Sequence, residues 1–335
     1  MTKVIVVSGA GGVGKTTSSA ALSLALARSG RRTLLVSVDP ARRLADVVEQ
    51  PLGDDIVVHK NVEALSLWMP NTSTELTRIA KAEMSPEGYR GFEANRVTEL
   101  FHAAPAGLHE AACALSLGQV AGAYDVVVID TPPCEQSTSF LEAPARLRQL
   151  FQGHALALFS TFGSARGLGQ RVVERMLDRV MPAEVIAEGA DFFRSILSVR
   201  HKLAQRAARA DALLSGAHHV VVAATNNDGI ESAMILNRSI RSKASKRRVF
   251  GEKTKDVVTI FNRSGMDDST QRARQRFPSA LVLPLLKGPS RQIVDELAEQ
   301  LVPGLELLAP PSVGVPLGAG GADAPRKDTL RPVRR

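Results

Sequence analysis

Short runs of β-branched and aliphatic residues recur along the chain, each bounded by Gly, Asp or Asn. They are VIVVS (4–8), TLLVSVD (33–39), DVVVID (125–130), HVVVAAT (219–225), DVVTIFN (256–262) and ALVLPL (280–285). Continuous apolar runs of this length predict strands buried on both faces. Helix-length segments separate them: residues 17–29 are rich in Ala and Leu, and 229–242, 267–277 and 290–301 lie where right-handed crossovers need helices. The alternation predicts an α/β fold with a mostly parallel sheet covered by helices on both faces.

Two stretches, 70–120 and 140–216, break this rhythm with helical periodicity. In EGADFFRSILSVRHKLAQRAARADALL, residues Phe192, Phe193, Ile196, Leu197 and Leu203 are spaced for one apolar face. These stretches are expected to form a helical insertion subdomain on a core spanning 1–305. Their Leu/Met stripes, LRQLFQGHALALF and VVERMLDRVM, read either as internal packing or as a groove for a hydrophobic protein client. Residues 306–335 are rich in Pro, Gly and Arg, with little to bury, and are expected to be a disordered basic tail.

Charge changes the picture less than its total suggests. The net charge of +8 is concentrated in RSKASKRRVFGEKTK (241–255), with seven Lys/Arg against one Glu, and in residues 311–335, with five against two. The remainder is nearly neutral, so a nucleic-acid surface is not expected, and the 241–255 run reads as a solvated linker. Cys113 and Cys134 form no C-x-x-C pair, which argues against zinc, an iron–sulfur cluster or a disulfide framework and fits a reducing, cytoplasmic compartment. The first apolar run enters a glycine loop directly, so neither a signal peptide nor a membrane span is expected there.

That loop carries the chemistry. Gly9-Ala10-Gly11-Gly12-Val13-Gly14-Lys15-Thr16, followed by Thr17, matches G-x-x-x-x-G-K-[ST] between a predicted strand and a predicted helix. Backbone N–H groups must converge on phosphate oxygens, which requires side chains to be absent at Gly11, Gly12 and Gly14. The helix N-terminus adds its positive dipole end. Lys15 is placed to reach the β and γ phosphates, and the Thr16 hydroxyl to ligate Mg²⁺. Asp130 ends a strand at the same sheet edge and is placed to hold the magnesium. Asp39 ends another and reads either as the group that orients or deprotonates the attacking water, or as an N-cap for a helix after Pro40.

GAGGVGKTT, SVDPARRLADV, AGLHEAA, YDVVVIDTPP with FLEAPARL, and the late FNR, in that order, resemble the arsenical-pump-driving and tail-anchored-protein-targeting ATPases. The likeness covers roughly residues 3–305 and is nearest to the bacterial branch whose loop begins Gly-Ala-Gly-Gly. It implies a deviant P-loop ATPase that uses ATP and Mg²⁺ and works as a dimer or pseudodimer with ATP near the interface. By position, Gly9 to Thr17 would bind phosphate, Thr16 and Asp130 would serve Mg²⁺, Asp39 would act on the water, and Asn262 would read adenine. For Asn262, a place at the ligand edge agrees with a base contact, and a turn before Arg263 is the alternative.

The chain departs from that family at Ala10. The family's loop reads Gly-Lys-Gly-Gly, and its first lysine reaches the partner's phosphates. A cation supplied in trans is worth about 10³- to 10⁵-fold in rate. The chain is therefore a slow homodimeric ATPase, a low-turnover subunit of a heterodimer with a lysine-bearing paralogue, or a homodimer that uses another cation such as Arg42 or Arg43. After Asp130, Thr131-Pro132-Pro133 leads into Cys134-Glu135-Gln136 rather than the family's usual continuation. The cysteine set does not support direct metalloid binding.

Overall fold

The computed structural model describes residues 2–39, 43–102, 107–153, 183–246, 257–264 and 268–302. The six apolar runs become strands β1 (Lys3–Gly9), β2 (Thr33–Ser37), β5 (Val126–Asp130), β6 (His218–Ala223), β7 (Val257–Ser264) and β8 (Leu281–Pro284). They join β3 (Val57–His59) and β4 (Val62–Trp68) in one eight-stranded sheet of order β3-β4-β2-β5-β1-β6-β7-β8. Every pairing is parallel except β3 with β4. β3 and β4 are not evident from the hydrophobic pattern: VEALSLW mixes Glu and Ser with its aliphatic residues, and only its second half is buried.

β1 lies between β5 and β6, and β2 lies beyond β5. The chain thus leaves β1 toward one side of the sheet and later crosses to the other, which opens a crevice at the carboxyl ends of the central strands. Helix α1 (Lys15–Arg28) starts at that crevice and runs back across the sheet. Its Ala and Ser residues let it lie close to the strands, while Leu22 and Leu26 are fully buried in the core that α12 (Ser290–Leu301) closes with Val294, Leu297 and Leu301. Each leucine removed from water contributes roughly 1.5–3 kcal/mol, so the loop is anchored to a well-buried core.

After the short α2 (Arg43–Val48), the first helical stretch forms α3 (Thr72–Glu83), α4 (Pro86–Glu93), α5 (Arg96–His102) and α6 (Leu108–Val120). Asn71 caps α3 by accepting from the Ser73 and Thr74 N–H groups, and Ser85 caps α4 ahead of Pro86. The second stretch forms α7 (Cys134–Gln152), α8 (Ala183–Ser198) and α9 (Arg200–Ser215). The expected apolar face largely holds, since Phe193, Ile196 and Leu197 share a cluster with Leu203, although Val199 leaves helical geometry between α8 and α9. Phe192 stacks on Phe92 at 5.5 Å, whereas Leu203 packs with Ile79, Leu115 and Phe151. Leu147 and Phe151 of the LRQLFQGHALALF stripe belong to this second cluster, so that part of the stripe is internal packing. Residues 154–182, with the remainder of both stripes, lie outside the described residues.

On the other flank, α10 (Asn227–Lys246) and α11 (Asp268–Arg276) complete the crossovers. α10 continues four residues past Ser242, so the start of the basic 241–255 run is helix rather than linker. The rest of that run from 247 onward, and the tail at 306–335, lie outside the described residues. Among the described residues no helix is long and apolar enough to cross a membrane.

Candidate functional site

The loop between β1 and α1 has glycines for three different physical reasons. A Cβ on Gly9 would stand 2.2 Å from the Val222 carbonyl oxygen of the neighbouring strand. Gly12 and Gly14 have φ of +76° and +87°, a region that side chains disfavour, and a Cβ on Gly14 would also meet the Asn262 amide nitrogen at 2.3 Å. Gly11 has no positive φ and no atom within 4 Å of an added Cβ. Nothing in the chain requires a glycine there, so the space it leaves is suited to a ligand. Gly9→Ala is therefore expected to lower stability by about 1–3 kcal/mol, seen as a lower urea midpoint. Gly11→Ala is expected to leave that midpoint within the range of ordinary surface changes, about ±0.5 kcal/mol, and to weaken nucleotide binding measured by titration.

Lys15 is the first residue of α1 and is only 8% exposed. Its Nζ folds back over the loop and donates to the Ala10 carbonyl at 2.8 Å. The ammonium thus sits where loop amides and helix dipole already favour an anion. The Ala10 methyl packs partly into the core beneath.

Asp130, at the end of β5, is fully buried. Ser19 of α1 donates to its Oδ1 at 3.2 Å, Ser37 of β2 donates to its Oδ2 at 3.4 Å, and the Thr16 hydroxyl also bonds to it. Burial pushes this carboxyl up to about 6, the Thr16 hydroxyl, the Lys15 charge and the Ser19 hydroxyl pull it back, and the Asp39 charge adds to the rise. A buried carboxylate held by hydroxyls beside a threonine is a hard oxygen donor set. Among the described residues no group of three or more His, Cys, Asp or Glu converges as a metal cage. That arrangement fits magnesium, which takes one or two protein oxygens and completes its shell from water and phosphate.

Asp39 leaves β2 at the same edge and is half-buried. The Val38 N–H donates to the Asp130 carbonyl at 2.9 Å, which pins the residue before Asp39 to β5. The structure describes α2 from Arg43, and the capping alternative for Asp39 falls on residues 40–42, which lie outside the described residues. The structure brings Lys15, Thr16, Asp39 and Asp130 to one crevice between β1, β2 and β5. Arg43 is exposed at the start of α2, and Arg42 lies outside the described residues.

Asn262 on β7 is 5% exposed, and its Nδ2 donates to the Val13 carbonyl at 3.1 Å. It braces the loop from below and borders a 230 Å³ cavity lined by Gly14, Thr17, Pro284, Leu285 and Ile293 among others. The hydrophobic pattern gives β8 but not this role for the residues after it. Ser19 and Ser37 are likewise missed by motif reading; the only trace of Ser19 is a hydroxyl at a core-facing position of an Ala/Leu helix. A larger cavity of 670 Å³, bordered by Arg238, Arg241, Arg276 and Phe277, opens at the opposite, amino-terminal sheet edge and takes no part in this site. Cys113 is buried inside α6, and burial together with the Glu75 and Glu110 charges pushes its thiol up, so it is an inert packing thiol.

Known proteins share part of this sequence. The chain is 30% identical over 201 residues to "ATPase ASNA1 homolog 1" of Paramecium tetraurelia, covering 53% of this chain and 59% of that protein. It is 34% identical over 167 residues to "ATPase get3" of Neurospora crassa, covering 49% and 48%, and 32% identical over 172 residues to "ATPase GET3" of Mycosarcoma maydis, covering 50% and 49%. The chain thus spans between about half and three fifths of the length of these curated relatives. The family model described as anion-transporting ATPase matches residues 2–244, from β1 through nearly all of α10. A match of that extent, over a sheet whose switch point carries the phosphate loop, shows that the chain belongs to the anion-transporting ATPase family.

Proposed function

We propose that the chain binds Mg²⁺·ATP at the β1–α1 loop and hydrolyses it by in-line attack of water. It would couple nucleotide state to a cargo or membrane partner, as in arsenical-pump or tail-anchored-protein-targeting ATPases. The observation that carries this reading is Asp130, buried and tied at once to α1 through Ser19 and to β2 through Ser37. That carboxylate gives the phosphate loop and the Asp39 strand a common charged centre. A tight glycine turn with no ligand would not need one.

Gly9 to Thr17 offer their amides to the phosphates, and Lys15 exchanges the Ala10 carbonyl for phosphate oxygens as negative charge develops. Thr16 and Asp130 would hold magnesium, whose chemistry when bound is to neutralise charge on the β and γ phosphates. Asp39 orients the water and accepts its proton as the γ-phosphate bond to ADP breaks. The apolar slot beside Asn262 is of a kind to take the adenine ring, with the amide contributing polar recognition. The helices of 72–120 and 134–215 would form the subdomain that meets a hydrophobic client, on a 1–305 core that works in the cytoplasm as a homodimer.

Asp39→Asn tests the assignment. It keeps shape and removes the base, so turnover is expected to fall about 10²- to 10⁴-fold while Mg²⁺·ATP affinity is retained. Unchanged turnover in a steady-state phosphate-release assay would remove Asp39 from the mechanism. A second reading, a low-turnover nucleotide-binding subunit of a heterodimer whose paralogous partner brings the lysine, is favoured by one observation. Position 10 carries a half-buried methyl where the family's amine would be.

A further inference from the structure

The geometry points to His109 as a positioning residue for Asp39, acting from the helical layer through the peptide that precedes the aspartate. This inference rests on the reading of Asp39 given above. His109 is the second residue of α6. Its Nε2 lies 3.1 Å from the Val38 carbonyl oxygen, and its Nδ1 lies 2.8 Å from the hydroxyl of Thr72, the first residue of α3. A carbonyl only accepts, so Nε2 carries the proton and donates to Val38. The Val38 carbonyl thereby selects the tautomer, and in the neutral ring Nδ1 accepts from the Thr72 hydroxyl.

Val38 is fully buried and held from both sides, its N–H by the Asp130 carbonyl and its C=O by His109. The Val38 carbonyl carbon is bonded to the Asp39 nitrogen. Fixing that peptide plane therefore fixes the direction in which the Asp39 backbone leaves β2. The ring is held in place as well. The start of α6 is closed by Glu110, which accepts from the Gly107 N–H at 2.6 Å, and Cys113 packs against the imidazole with its sulfur 3.7 Å from Nε2. No described contact joins His109 to the phosphate loop, and the proposal routes its effect on hydrolysis through the Val38 peptide to Asp39.

The test uses the full chain carrying His109→Ala, His109→Gln or Thr72→Val, each alone and together with Asp39→Asn. Steady-state ATP hydrolysis, Mg²⁺·ATP affinity and thermal unfolding are measured on every variant. His109→Ala is expected to lower kcat by about ten- to a hundredfold, as a small misplacement of a reacting group does, with KM and affinity unchanged. His109→Gln, whose amide N–H reaches the same carbonyl, is expected to recover most of that loss. Thr72→Val lowers kcat by less than His109→Ala and carries the test should His109→Ala fail to fold. In the Asp39→Asn background none of the three changes lowers the residual rate further. Unchanged kcat in His109→Ala, or the same fold loss with and without Asp39, overturns the proposal. An Asp39→Asn chain with native kcat instead overturns the reading of Asp39 itself, so the two failures are distinct.

Discussion

Lys15→Ala is expected to remove both nucleotide binding and turnover while leaving the chain folded. The Lys15 ammonium is nearly buried and already directed over the loop, with Ala10 as its acceptor. On binding it replaces one neutral carbonyl by phosphate oxygens, and charge-assisted bonds of that kind are worth about 1.5–3 kcal/mol each. Losing two of them corresponds to roughly 10²- to 10⁴-fold in affinity. The fold has little to lose: alanine is a good residue for the first turn of α1, and the Ala10 carbonyl on the half-exposed loop regains water. Calorimetric titration with Mg²⁺·ATP, beside a thermal unfolding curve, checks both halves of the prediction. Native affinity in the variant would mean that the loop amides alone bind the phosphates.

Ala10→Lys is expected to act in the opposite direction. The native chain presents a half-buried methyl at position 10, so no amine from that position can reach a neighbour's phosphates. In a pair of chains whose loops face each other, the added lysine supplies charge in trans, an effect worth about 10³- to 10⁵-fold in rate. The variant is expected to gain toward the lower end of that range, since native interfaces around a lysine are tuned to it and this one is not. Because the amine comes from the other chain, specific activity should rise more steeply with protein concentration in the variant than in the native protein. No gain at any concentration would show that the loops do not face each other in a homodimer, which is the result expected of a heterodimer subunit.

How far the sequence discloses this site follows from the range of the interactions that build it. The phosphate loop is legible because its demands are local: three glycine geometries, a lysine and a threonine within nine residues, framed by an apolar run and an Ala/Leu helix. Asp130 and Asp39 are legible as strand-end carboxylates. Their coupling is not, since Ser19 and Ser37 come from elements 111 and 93 residues away. His109 sits in the quoted AGLHEAA segment without any local sign that its ring spans 71 residues to the Val38 carbonyl. Among the elements, β3 and β4 escape a hydrophobicity reading because an edge hairpin buries only part of its surface. The break between α8 and α9 escapes it because helical spacing continues in register across Val199. Asn262 was legible as a ligand-edge residue, but its bond to Val13 depends on β7 lying beneath the loop.

The central claim is that this crevice hydrolyses ATP rather than only holding it. The most direct measurement is inorganic phosphate release from saturating Mg²⁺·ATP by the purified full chain, at a protein concentration where bound nucleotide has been shown to be stoichiometric. The account predicts saturable, magnesium-dependent release that Lys15→Ala and Asp39→Asn both lose. Stoichiometric binding with release no faster than in those two variants would contradict it and leave a nucleotide-binding subunit in place of an autonomous ATPase.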